Sequence, residues 1–227
     1  APPLLDWLRS PAYAASLRER LQQAQVPGLA LAVVEGGALL HQTGFGFADL
    51  RAQRPMSAST LINTASVTKV VTCAAVLQFH EQGRLDLDAP VDRWLPFKLR
   101  HPAYAERAAI ITTRQLLTHT AAIADGQAYG DSYACGDPQS ELEAWLRTVM
   151  LPDTTQAADT APAPFQPWAP GERHAYSNVG YGLLGLLVER LSGLPYTVAC
   201  QRRVLAPLAM DRSRFLIAGL DPAEHAT

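Results

Sequence analysis

Apolar and polar positions divide the chain into one hairpin and a series of helices. Gly28 to Val34 (GLALAVV) is a short apolar run with strand character, Glu35-Gly36-Gly37 turns it, and Ala38 to Phe47 reads as the return strand. Upstream, Pro11 to Gln25 reads as a helix with Ser10 as N-cap and proline at the first helical position. Ser66 to Gln82 is the strongest helical segment. Val70, Val71, Cys73, Ala74, Ala75, Val76, Leu77 and Phe79 leave it almost no polar face, which predicts a buried central helix closed by Gly83. Thr112 with Gln115 predicts a capping box for a short helix through Leu117, and Ser140 with Glu143 one for a helix through about Met150. Residues 151 to 175 carry Pro152, Pro162, Pro164, Pro167 and Pro170 and read as a long surface loop. Asn178 to Leu191 is a second apolar helix, ended by Gly193 with Pro195 beyond. A further helix from Pro195 to about Val204 and a strand within Arg212 to Ile217 complete the pattern, and no internal repeat is visible.

Composition narrows the function. The 227 residues are 48% hydrophobic and 18% charged with net charge −2, as in a globular protein. The absence of a basic block argues against nucleic-acid partners. No apolar run approaches the roughly 18 residues of a membrane span. The first residue is Ala1, and no leader pattern is visible. The compartment stays open, with a periplasmic or secreted setting slightly favoured over a cytoplasmic one. Cys73, Cys135 and Cys200 match no zinc or redox spacing, and Cys73 reads as a buried core thiol. The odd count argues against a disulfide framework but leaves room for one bridge. No paired histidine or carboxylate stands at ligand spacing, so neither metal nor cofactor is expected.

Charge usage supplies the sharpest clue. The chain has 17 arginines but only two lysines, Lys69 and Lys98, and only two asparagines, Asn63 and Asn178. Arginine stays protonated in proteins, whereas a desolvated lysine can give up its proton. Lys69 lies three residues after Ser66, in Ser66-Val67-Thr68-Lys69, and residues three apart on a helix share a face. The amine thus comes within reach of a hydroxyl that is a weak nucleophile without a base. A helix start adds unpaired N–H groups and a dipole that favour a developing oxyanion. The plainer alternative is a serine N-cap followed by a surface lysine. In Tyr176-Ser177-Asn178, a tyrosine near a lysine can relay protons and Asn178 offers an amide to a substrate carbonyl. Its plainer alternative is Asn178 as an N-cap and Tyr176 packed on the loop, and taken alone that alternative is favoured.

Taken together the segments resemble the serine β-lactamase and penicillin-binding-protein superfamily. The likeness is greatest to the branch of class C β-lactamases, D-Ala-D-Ala carboxypeptidases and related esterases. It rests on TASVTKVVTCAAVLQFHEQGRLDLDAPVDRWLP, ITTRQLLTHT, PGERHAYSNVGYGLLGLLVERLSGLPY and VLAPLAMDRSRF, which occur in family order. The resemblance implies an α/β (α+β) fold of the β-lactamase/transpeptidase type, an antiparallel sheet flanked by helices plus an all-helical region. Residues 26–50 would supply the sheet hairpin and 60–210 the mainly helical region with the active site. It further implies Ser66 as acylated nucleophile, Lys69 and Tyr176 as a coupled proton-transfer pair, and Asn178 as the group orienting the substrate amide.

Three departures stand out. The family's Ser-Gly after His-Thr is Ala121-Ala122 here, and its Pro-Leu-Gly-Met is Pro207-Leu208-Ala209-Met210. Loss of the first glycine is expected to alter a turn. The third motif, a Lys- or His-led triplet ending in Gly, is not found before Thr227. This sequence therefore reads as a partial domain, not self-sufficient as a hydrolase, whose hairpin edge and apolar helices would be completed by further strands, supplied by a second polypeptide or belonging to a segment lost from this one. The leading reading is a serine hydrolase acting through an acyl-enzyme on a small-molecule ester, peptide or lactam, with esterase or D-amino-acid peptidase activity favoured slightly over β-lactamase activity. The rival is a non-catalytic relative serving as a binding or regulatory domain. His119 is expected to form structural hydrogen bonds, Asp86 and Asp88 to hold a turn, and Phe165 and Trp168 either to line a pocket or to fold back on the core.

Overall fold

A computed structural model describes residues 4–101, 104, 110–151 and 164–226. Contacts divide the chain into two units, one comprising residues up to Thr64 together with those from Ala218 on, the other Ala65–Ile217.

The first unit opens with helix α1 (Leu4–Leu8) and helix α2 (Pro11–Gln23). Ser10 caps α2 as the sequence predicts, its side chain accepting from the Tyr13 N–H at 3.1 Å. Strand β1 (Gly28–Glu35) pairs antiparallel with β2 (Ala38–Asp49), with a bulge between Val33 and Val34, and β2 pairs in turn with the short β3 (Arg54–Pro55). The sheet order is β1-β2-β3, so β1 is an edge strand among the described residues. Gly46 explains how β2 bends toward β3. Its φ is +72°, and a Cβ there would meet the Pro27 carbonyl oxygen at 2.2 Å, so only glycine fits. The further strand expected within Arg212 to Ile217 does not form; the segment has no regular secondary structure.

The second unit is helical. A 3₁₀ turn (Ala65–Val67) leads into α3 (Thr68–Glu81), followed by α4 (Thr113–Leu117), α5 (Gln127–Asp131), α6 (Leu142–Met150), α7 (Asn178–Ser192) and α8 (Tyr196–Cys200). The chain continues from α8 in a π turn, Gln201–Leu205. Its central helix is α7 rather than α3. Val179, Leu183, Leu184, Leu186, Leu187 and Val188 of α7 are all essentially inaccessible. They pack with Ala75, Val76 and Phe79 of α3, Leu116 of α4 and Leu146, Val149 and Met150 of α6 in one core. Helix α3 is buried on one side only: Val70 is 67% exposed and Leu77 40%. Cys73 is correspondingly only half-buried, and all three cysteines are free.

Local caps divide in the same way. The capping box at Thr112 and Gln115 is present with both of its hydrogen bonds. The one predicted at Ser140 and Glu143 is not: α6 starts at Leu142 without a side-chain cap. Glu143 instead pairs with Arg147 one turn on and with Arg190 of α7. Glycine ends α7 as expected, with Gly193 at φ +70°. Much of the proline-rich segment, 152–163, lies outside the described residues. Residues 164 onward are irregular but anchored. Ala124 N–H donates to Pro164 O, Gln166 N–H to Ala122 O, Gly171 N–H to Thr120 O and Ala175 N–H to His119 O, all at 2.7–2.8 Å. This ladder fixes the approach to α7 against the turn that follows α4.

Candidate active site

The ladder and the packing of α3 on α7 bring together the start of α3, the start of α7 and the turn at 119–125. Ser66 is exposed in the middle of the 3₁₀ turn, just outside the α-helix that the sequence predicts it to begin. Ala65 before it has φ +44°, a left-handed conformation disfavoured for a residue with a Cβ. Such strain presents the next side chain at an abrupt bend. Lys69 extends from the first turn of α3. Its Nζ donates to Asn178 Oδ1 at 2.5 Å and lies 3.4 Å from Ser66 Oγ. It also sits over the rings of Tyr176, 4.7 Å from the centroid, and Tyr181, 5.4 Å away. Lys98, by contrast, has a side chain 79% exposed and stands 3.8 Å from Asp92 on the surface.

The Tyr176 hydroxyl donates to Ser66 Oγ at 2.8 Å. Lys69 beside that hydroxyl, then the contact with Ser66, hold its pKa below the usual tyrosine value, outweighing a slight desolvation. Ser66, Lys69, Tyr176 and Asn178 therefore converge on one point although they are separated by up to 112 positions in sequence. Asn178 is not the helix cap. That role belongs to Ser177, whose Oγ accepts from Gly180 N–H at 2.8 Å, which frees the Asn178 side chain to reach Lys69.

His119 has the structural role the sequence suggests. Its Nδ1 accepts from Ser177 N–H at 3.1 Å, and its ring stacks on Tyr176 with centroids 4.5 Å apart. Burial, and then the nearby His174 and Lys69, depress its pKa and so favour the neutral ring that can accept this bond. The two-alanine departure does not remove the turn. Ala122 adopts φ +54°, where glycine would sit without strain. Phe165 folds back on the core and bridges Ile123. Trp168 lies under the Arg173 guanidinium, 5.5 Å from its ring centroid. Asp86 holds the connector turn by accepting from Asp88 N–H, and Asp88 forms an ion pair with Arg114.

Asp125 is the site residue that sequence reasoning misses. Its Oδ1 accepts from the N–H groups of Asn178 (2.5 Å) and Val179 (3.0 Å), and its Oδ2 accepts from Asn178 Nδ2 at 2.6 Å. These partners are 53 and 54 positions away, so no local spacing in HTAAIAD signals them.

Residues 14–227 match the family model described as Beta-lactamase. The chain belongs to the Beta-lactamase family. Esterase EstB of Burkholderia gladioli is 35% identical over 205 residues, which are 88% of this chain and 50% of that protein. The octameric penicillin-binding protein homologue from Pyrococcus abyssi superposes with a TM-score of 0.75 at 28% identity, over 93% of this chain and 46% of that one. The D-amino acid amidase from Ochrobactrum anthropi, complexed with L-phenylalanine amide, gives a TM-score of 0.62 at 25% identity, over 87% of this chain and 50% of that one. The chain thus spans about half the length of these relatives. The fold is β-lactamase/transpeptidase-like, an antiparallel sheet with helices, as the sequence segments imply.

Proposed function

We propose that this chain carries the acylation centre of a serine hydrolase acting through an acyl-enzyme on an ester, amide or lactam carbonyl, with an ester or D-amino-acid amide favoured over a lactam. The observation that carries the reading is the placement of Ser66 Oγ 2.8 Å from the Tyr176 hydroxyl and 3.4 Å from Lys69 Nζ. In the resting arrangement both groups donate toward Oγ. When Tyr176 passes its proton to Lys69 in its neutral amine form, the same oxygen–oxygen contact reverses and the phenolate takes the Ser66 hydroxyl proton. Oγ then attacks the carbonyl carbon and the carbonyl π bond becomes an oxyanion. Collapse expels the leaving group, which recovers the proton from the Tyr176–Lys69 pair. Water repeats the sequence on the acyl ester and restores Ser66. The start of α3, behind the 3₁₀ turn, would favour negative charge at this position through the unpaired N–H groups and dipole of a helix N-terminus. Asn178 would hold the substrate's amide or ester group while its Oδ1 restrains Lys69. Kinship with an esterase and a D-amino acid amidase supports the substrate preference.

The test is intact-protein mass after treatment with a fluorophosphonate and, separately, with a penicillin. A single adduct that maps to Ser66 and vanishes in Ser66→Ala is expected. An adduct elsewhere, or labelling that survives Ser66→Ala, would refute the assignment. A folded protein that takes no label would favour the binding-domain reading.

A further inference from the structure

We propose that Asp125 is a positioning residue for this centre: its carboxylate locks the Asn178 carboxamide with Oδ1 toward Lys69, and so holds the Lys69 amine against Ser66. The two ends of a carboxamide have nearly the same shape, so its orientation is decided by its partners. Asn178 lies between a group that only donates and a group that only accepts. Lys69 Nζ is 2.5 Å from Oδ1 on one side, and Asp125 Oδ2 is 2.6 Å from Nδ2 on the other. One orientation satisfies both, and the flipped one opposes ammonium to N–H and carboxylate to carbonyl oxygen.

The two restraints are not equivalent during a reaction. Lys69 selects the orientation only while it is an ammonium, because a neutral amine can accept as well as donate. In the deprotonated state that proton transfer requires, the carboxylate of Asp125 is the group that still forbids a flip. Asp125 also fixes the backbone from which the side chain springs, taking the N–H groups of Asn178 and Val179. Capping alone does not explain the contact, since Ser177 already caps α7 and Asp125 reaches past the helix end to the side-chain amide. The carboxylate is itself held by the turn laddered to residues 164–175. Its position is therefore coupled to the segment that delivers Tyr176.

The effect on rate rests on the acyl-enzyme reading above, but the amide lock does not, so two measurements separate them. Asn63 and Asn178 are the only asparagines, so selective ¹⁵N-asparagine labelling leaves two side-chain amides to observe. In the wild type the Asn178 amide is expected to exchange slowly with solvent, with one proton shifted downfield. Exchange as fast as in a free asparagine would overturn the proposal, and this readout needs no variant to fold. In Asp125→Asn the protection should be lost and fluorophosphonate labelling of Ser66 should slow about 10- to 100-fold, the scale of a misplacement near 1 Å.

The pH profile gives a further readout. Tyr176 is faced by Lys69 from α3, by His119 and Asp125 from the turn, by Tyr129 from α5 and by Tyr181 from α7. Asp125 opposes ionisation of Tyr176, so its neutralisation should move the acid limb of labelling to lower pH. Ser177→Ala removes the helix cap and the long 3.5 Å contact of its Oγ with Asp125 Oδ1 but keeps the Asp125 bonds to the Asn178 amide, and should lower the melting temperature while leaving that limb in place. If Asp125→Asn labels at the wild-type rate with an unmoved profile, or behaves as Ser177→Ala does, the proposal fails. If the wild type shows a protected amide but no labelling, the lock stands and the acyl-enzyme reading falls.

Discussion

Two alanines stand where the resembling family pattern has glycine, and both adopt left-handed backbone: Ala122 at φ +54° and Ala209 at φ +53°. A residue with a Cβ is disfavoured there by roughly 1–2 kcal/mol. Replacement by glycine removes that strain but increases the entropy of the unfolded chain, at a cost of about 0.5–1 kcal/mol. Burial then separates the two sites. Ala209 is exposed and closes the 3₁₀ turn Ala206–Leu208, so its methyl contributes little to packing. Ala209→Gly should therefore stabilise by about 0.5–1 kcal/mol. At roughly 2–4 °C per kcal/mol for a chain of this size, the melting temperature should rise by about 1–4 °C. Ala122 is fully buried, and deleting its methyl forfeits about 0.8 kcal/mol of burial. The same substitution there should come out near zero. Scanning calorimetry of the two single variants and the double variant tests this, with additive effects expected for well-separated sites. Ala209→Gly lowering the melting temperature, or Ala122→Gly raising it by more than Ala209→Gly does, would refute the reasoning.

Lys69→Arg should abolish most Ser66 labelling, nearly as Lys69→Ala does, because the guanidinium keeps the charge but cannot accept a proton; a rate close to wild type would reduce Lys69 to a source of positive field. Tyr176→Phe removes the hydroxyl 2.8 Å from Ser66 Oγ and should slow labelling about 10²–10⁴-fold, as for other lost acid–base groups; an unchanged rate would leave Tyr176 with its packing on His119 alone. The depressed His119 pKa means that the unfolded chain binds the proton more readily than the folded one. The stability His119 contributes is therefore complete above the unfolded value of 6.5 and is lost as pH falls through the lower folded value. Melting temperatures of wild type and His119→Phe followed from pH 7.5 downward should converge, and parallel curves would contradict the neutral, accepting ring.

The sequence reveals most where chemistry is local. The apolar run at Gly28 to Val34, the Glu35-Gly36-Gly37 turn, the capping box at Thr112 and the glycine ends of α3 and α7 each depend on a few adjacent residues, and each forms where it is read. The failures share one cause. Arg212 to Ile217 looks like a strand and forms none, while Glu143 looks like a cap and pairs with α7. Both outcomes are decided by what lies opposite in space. Asn178 shows the same limit at the candidate site: by spacing it passes for an N-cap, and only the fold shows Ser177 taking that task.

Scarcity of residue types carries the site further than motif spacing does. A serine three residues before a lysine recurs by chance, and the two lysines differ in their settings: Lys98 extends into solvent beside the buried Asp92 carboxylate. Lys69 instead has its ammonium against an amide oxygen, a serine oxygen and two aromatic faces. A side chain held by that many groups has given up rotameric freedom worth up to about 2 kcal/mol, more than one exposed polar contact returns. Helix α7 supplies what makes the arrangement stable. Its buried apolar length fixes the start of the helix relative to α3, and the fixed start places Tyr176 and Asn178 at Lys69. The site thus depends on core packing through a helix end, and Asp125 is the residue through which that end is tied to the preceding turn.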